Sequence, residues 1–183
     1  MSYSGYLSYL SILGKIHSGK IHDMKTTFGG IGTVTKRMAI CHFAMLLSSL
    51  HTEGSIVEIG VARGDCSKLI SENISENYNL HLFDTFCGLP NHTIEDELND
   101  KIEGGLNFSL EYVKQFIGEK ENIFYHKGMI EDTYKSLPDD IVLCHIDCDL
   151  FSGVYTSLKY VIPKLKNGGC IIIDDYNNSY FKG

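Results

Sequence analysis

The 183-residue chain predicts an α/β fold in which a doubly wound parallel sheet carries helices on both faces. Three observations lead there. From Ile56 onward, apolar strand-like runs alternate with helical stretches, an order that right-handed crossovers convert into parallel strands. Two of the runs, "IVLCHI" and "CIIID", are apolar almost without interruption, as strands covered on both sides are. Several runs also stop abruptly on glycine or an acid, at the carboxyl strand ends where such sheets bind ligands.

The elements follow in order. Residues 1–52 read as an N-terminal helical cap, and 53–183 as the α/β core. Within the cap, "KRMAICHFAMLLSSL" (36–50) is apolar nearly all round and predicts a buried helix. "SIVEIG" (55–60) reads as a strand and "DCSKLISENISEN" (65–77) as a helix capped by Asp65. "LHLFD" (80–84) is a second strand. "SLEYVKQFIG" (109–118) is a helix that Ser109 caps and Gly118 ends. "NIFYHKG", "IVLCHID" and "CIIIDD" are three more strands, with "SGVYTSLKYVIPKL" (152–165) as the helix between the last two. The connection 85–108 is long for a compact domain and carries five acids against one lysine, which suits a lid over a substrate.

Bulk properties exclude some classes. Lys and Arg total 16 against 23 Asp and Glu, a net charge of −7, so no basic footprint for nucleic acid is expected. No run approaches the ~18–20 apolar residues of a membrane span, and the N-terminus lacks a signal-peptide pattern. Six cysteines without a Cys-x-x-Cys pair fit free thiols in a reducing compartment, and a cytoplasmic location is expected.

The strand tips carry the chemistry. "VEIGVARGD" (57–65) places Glu58, Gly60 and Gly64 on a tight strand-to-helix turn. Such a turn lets a ligand approach the backbone and a helix N-terminus. The spacing is not Gly-x-Gly-x-x-Gly, so the dinucleotide fingerprint is not met, and a plain tight turn competes. Asp84 ends the second strand, where a carboxylate holds ribose hydroxyls, with a solvated loop acid as the rival reading. At the third tip, Gly128 turns the chain into Met129, Ile130 and Glu131, which could wall an adenine; Asp132 is read as a helix cap.

Asp147 ends the fourth strand, and Asp174 and Asp175 end the fifth. Three carboxylates converging at one crevice repel one another, and a hard divalent cation such as Mg²⁺ removes that cost. The competing reading makes Asp149 and Asp175 helix caps. His145, two residues before Asp147 on a buried strand, reads as a hydrogen-bonded core residue.

In order and spacing, "VEIGVARGD", "LHLFDTFCGLP", "YHKGMIEDT", "CHIDCDLF" and "GGCIIIDDY" resemble the macrocin O-methyltransferase family over about residues 55–176. The resemblance implies a Rossmann-like class I methyltransferase fold. It also implies S-adenosylmethionine (SAM) and Mg²⁺ or another divalent cation as cofactors, and a small-molecule acceptor, a sugar hydroxyl of a natural product or glycan. Carried over by position, it places Glu58, Gly60, Ala62 and Gly64 around the methionine part of SAM, and Asp84 and Thr85 at the ribose. Gly128, Met129, Ile130 and Glu131 fall near the adenine, and Asp147 borders the cofactor. Asp147, Asp174 and Asp175 are the implied metal ligands.

Related catechol-type enzymes place a lysine three residues after the first Asp. Leu150 stands there, which leaves Asp149, His92 or a metal-bound species as the base. Class I methyltransferases also continue past the fifth strand, whereas this sequence ends at Gly183. The core is therefore expected to be C-terminally incomplete, with at least five strands and an open edge that a homo-oligomer would cover. The rival functions are a truncated, inactive methyltransferase-like binding subunit, a metal-dependent glycosyltransferase and an NAD(P)-dependent oxidoreductase. The glycosyltransferase explains "DCD" but not the glycine turn with Asp84.

Overall fold

A computed structural model describes residues 34–90 and 106–174. The elements are α1 (Val34–Leu50), β1 (Gly54–Ile59), α2 (Asp65–Asn73), β2 (Tyr78–Asp84), α3 (Leu110–Ile117), β3 (Ile123–Lys127), α4 (Ile130–Thr133), β4 (Ile141–Ile146), α5 (Phe151–Val161) and β5 (Leu165–Ile173). Short 3₁₀ turns follow α4 and α5. The five strands form one sheet in the order β3-β2-β1-β4-β5, every neighbouring pair parallel. The chain runs outward from β1 to β3, then returns across β1 to β4 and β5. The order therefore reverses between β1 and β4, the switch point at which doubly wound sheets bind ligands.

Strand alternation divides the core in two. Ile56, Leu80, Leu82 and Leu143 point to the side of α1, α2 and α3. Val57, Ile59, Phe83, Cys144 and Ile146 point to the other, against Ile130 and Val161. β1 and β4 are buried at every position, which is why their sequences run apolar with hardly a break. Each fully buried aliphatic side chain on these two central strands contributes about 1.5–3 kcal/mol. β5 differs from expectation. Its isoleucines 171–173 are only half-buried among the described residues, because the strand pairs with β4 alone.

Several boundaries shift for physical reasons. α2 ends at Asn73, not Asn77, because Ile74 is already extended and residues 75–78 close a turn with Tyr78 N–H on the Ser75 carbonyl. Its N-cap is Gly64, not Asp65. The Asp65 carboxylate is instead taken by Arg37 of α1 at 3.3 Å and Arg63 at 2.8 Å. α3 matches its sequence signals: Ser109 Oγ accepts from Tyr112 N–H, and Gly118 closes the helix at φ 93°. α5 gives way to a 3₁₀ turn at Ile162–Lys164, where Pro163 removes an amide donor. α1 buries Ile40, Ala44 and Leu47 but leaves Phe43, Leu46 and Leu50 exposed among the described residues, so it is not covered all round. Asp132 lies inside α4, whose N-cap is Met129, and caps nothing. Among the described residues, no helix is long and apolar enough to cross a membrane.

Candidate active site

Four strand tips are laced together by hydrogen bonds that leave a cleft between them. Gly60 N–H donates to the Phe83 carbonyl at 2.9 Å, Gly128 N–H to the Asp84 carbonyl at 3.0 Å, and Asp147 N–H to the Ile59 carbonyl at 2.8 Å. Gly60, at φ 87°, is required by its neighbour: a Cβ there would lie 1.9 Å from the Asp147 carbonyl oxygen. Gly64, at φ 91°, is required by packing, because a Cβ would come within 2.9 Å of Ile117.

Asp84 is no solvated loop acid. Its Oδ2 accepts from the amides of Val61 at 2.7 Å and Ala62 at 3.0 Å, and its Oδ1 accepts from Phe86 N–H at 2.6 Å. The carboxylate thus clamps the turn after β1 onto the tip of β2. Hydrogen bonds to a charged group contribute about 1.5–3 kcal/mol each, enough to hold Ala62 and Phe86 in the left-handed region at φ 46° and 50°.

The cleft's empty space, including its open mouth, is about 700 Å³. Its walls include Gly60, Ala62, Asp84 and Thr85 from the first two tips, Gly128, Met129 and Ile130 from the third, and Asp147 and Asp149 from the fourth. These are nine of the residues singled out in the sequence. Leu89 and Pro90 border it as well, as do Cys148, Leu150 and Ser152. Sequence reasoning assigned none of those five to the site; the "GLP" and "DCDL" runs held a signal for four of them, and Ser152 had none. Leu150 is 3% exposed and fills the position where a lysine would stand in catechol-type enzymes.

Other expected residues lie elsewhere. Glu58 is 2% exposed and does not line the cleft; its carboxylate accepts from Ser67 Oγ, and one oxygen lies 3.0 Å from His145 Nδ1. His145 is the buried, hydrogen-bonded residue that the sequence predicts. Gly64 and Glu131 also stand off the wall, Gly64 as the N-cap of α2 and Glu131 in the first turn of α4. His92 and Asp175 lie outside the described residues, as does most of the 85–108 connection.

Two donor clusters could hold a cation. One ligating atom from each of His145, Asp147 and Asp174 lies within 4.8 Å of the others, and Glu58, Cys66 and His145 form a second such group. The second is better explained as a closed hydrogen-bond network. Burial first, then the Glu58 charge, push the Cys66 thiol well up, and its Sγ lies 3.9 Å from His145 Nδ1. Cys148, beside Asp147, is shifted in the same direction. Burial pushes it up to about 12 against the opposing Ser157 hydrogen bond, with Asp147, Asp149 and Asp84 adding to the rise. Asp174 N–H pairs with the Ile146 carbonyl at 2.8 Å, so β4 and β5 deliver Asp147 and Asp174 side by side.

A parallel five-stranded sheet with flanking helices and a cleft at its switch point defines a Rossmann-like fold of the class I methyltransferase type. The model of one family, Macrocin-O-methyltransferase (TylF), matches residues 30–180, and the chain belongs to that family. A curated relative is the 8-demethyl-8-(2,3-dimethoxy-alpha-L-rhamnosyl)-tetracenomycin-C 4'-O-methyltransferase of Streptomyces olivaceus. It is 26% identical over 138 residues, which are 67% of this chain and 53% of that protein. The chain therefore spans about half the length of that relative. Among solved structures, the calicheamicin methyltransferase CalS11 superposes with a TM-score of 0.72 at 17% identity, over 91% of this chain and 74% of that one. The O-methyltransferase NovP superposes with a TM-score of 0.68 at 22% identity, over 79% and 66%. At these identities the structural likeness is one of fold.

Proposed function

We propose that this chain transfers a methyl group from SAM to a sugar hydroxyl of a natural product or glycan, with a divalent cation at Asp147 and Asp174. The observation that carries the reading is the cleft at the switch point, where the Gly60–Ala62 turn, Asp84 and Asp147 meet. The donor chemistry fits both groups. Ala62, Met129 and Ile130 offer apolar walls beside the Asp84 carboxylate, as a nucleoside needs, and two carboxylates with an imidazole offer a cation site. The relative from Streptomyces olivaceus is named for 4'-O-methylation of a rhamnosyl tetracenomycin, which supports a sugar as acceptor. Family membership favours methyl transfer over the glycosyltransferase and oxidoreductase alternatives.

When bound, SAM supplies the electrophilic methyl carbon, and the cation supplies Lewis-acid stabilisation of negative charge on the acceptor oxygen. The protein's own part is positioning. Asp84 holds the turn that walls the cleft, and Asp147 and Asp174 would hold the cation. Asp149 lines the same cleft and is the described carboxylate placed to take the hydroxyl proton, with Asp175 and His92 as further sequence-based candidates for cation and base. Holding the reacting atoms in near-attack geometry can supply about 7–11 kcal/mol of the barrier.

The experiment is a calorimetric titration with SAM and, separately, with Mg²⁺, followed by isotopic methyl transfer onto a panel of glycosylated acceptors. SAM binding, cation binding abolished by Asp147→Ala and label on a sugar oxygen are the expected results. A folded protein that binds no SAM would overturn the reading.

A further inference from the structure

Arg37, near the start of α1, is 5% exposed, and so is Asp65 in the first turn of α2. Nη2 of Arg37 lies 3.3 Å from Asp65 Oδ2. The other oxygen, Oδ1, accepts from Arg63 twice, from Nε at 3.0 Å and from Nη2 at 2.8 Å. One buried carboxylate is therefore shared by a distant helix and by the turn that follows β1. Arg63 also lies over the Phe116 ring of α3, 5.6 Å from its centroid. Two helices, α1 and α3, are thereby tied to the same turn.

Stability alone is a poor reason for such a group. Taking charges out of water offsets most of what their attraction returns, and apolar residues of similar volume often serve a fold as well. What a guanidinium on a carboxylate adds is direction, because its planar fork accepts few geometries. Here the direction falls on the turn at the cleft. Ala62, next to Arg63, lines the cleft and holds a left-handed φ of 46°. Asp84 holds this turn through the Val61 and Ala62 amides, and Asp65 holds it through Arg63. Given the SAM site proposed above, on which this inference rests, we propose that Arg37 is a positioning residue for the cofactor. Acting through Asp65 and Arg63, it keeps the turn of residues 61–64 in the shape that borders the cleft. Arg37 itself does not line the cleft, so α1 contributes to cofactor binding without reaching the cofactor.

The test compares Arg37→Met and Arg37→Lys with the wild type by SAM calorimetry, well below the unfolding temperature of each. Arg37→Met is expected to weaken SAM binding about 10–100-fold, as a displacement of up to about 1 Å in a binding site does. Arg37→Lys keeps the charge but not the fork and should recover part of the affinity. Hydrogen exchange separates positioning from stability. The Val61 and Ala62 amides, which donate to Asp84, should lose protection in Arg37→Met while the amides of β4 keep theirs. A merely structural pair would instead lower protection across the whole sheet and leave SAM affinity unchanged. That result overturns the role of Arg37 while leaving the SAM site standing. A folded wild type that binds no SAM overturns both. Should Arg37→Met fail to fold, Arg37→Lys and Asp65→Asn carry the same two readouts, with wild-type affinity in both as the overturning result.

Discussion

Gly60 and Asp147 touch through their backbones: a Cβ on Gly60 would sit 1.9 Å from the Asp147 carbonyl oxygen. The glycine of the first strand tip is thus there for the fourth strand, which must come this close for Asp147 to border the cleft. Gly60→Ala has to push the two tips apart and hold φ near 87°. A loss of about 3 kcal/mol is expected, from overpacking and the left-handed backbone together. Urea unfolding measures it, and an unchanged midpoint would show that the tips separate freely.

Asp84 accepts three backbone N–H groups across two loops. Asp84→Asn removes the charge and turns an amide toward one set of those donors. Stability should fall by about 2 kcal/mol. SAM affinity should fall at least about tenfold, since the turn at Ala62 loses its clamp. Thermal unfolding and calorimetry read the two effects separately; SAM affinity lost without any loss of stability would confine Asp84 to ligand contact.

Asp149 sits at φ 61°, in the left-handed region that glycine occupies without cost. Asp149→Gly should therefore stabilise the fold by about 1 kcal/mol while lowering methyl transfer. Full activity in Asp149→Gly would remove Asp149 as the base.

His81 and His126 stack between neighbouring strands with their ring nitrogens 3.1 Å apart. Burial, then the neighbouring His126, bring His81 from 6.5 down to about 4, and burial lowers His126 as well. Both stay neutral in the fold while the unfolded chain takes up protons, so stability falls as pH drops from about 6.5 toward 4. The loss is moderated because both rings are partly solvated. His81→Phe should flatten the dependence of the unfolding midpoint on pH in that window. A slope that does not change would place its origin elsewhere.

Much of the fold was legible because burial writes itself into composition. "IVLCHI" could only be a strand covered on both faces, and Ser109 with Gly118 bracketed α3 on capping chemistry alone. The strand-tip acids stood out because a buried apolar run that ends in charge must deliver that charge to the sheet's rim, where ligands bind. Asp65 misled, since an acid before a helical run looks like a cap until Arg37, from a distant helix, is seen to claim it. For Glu58 the sequence shows only an acid near a strand tip; the fold shows its carboxylate taken up by Ser67 and His145.

The sequence by itself determined the alternation of strands and helices, the sites of the tight turns and the acids at the tips. Those follow from local periodicity, backbone freedom and hydropathy, which are properties of neighbouring residues. Only the tertiary structure decided why Gly60 and Gly64 must be glycine, that Asp84 clamps the first turn, and that His145 stands with Asp147 and Asp174. Each of these depends on a partner dozens of residues away. The sheet order β3-β2-β1-β4-β5 brings those partners together, and no local pattern encodes which strands become neighbours.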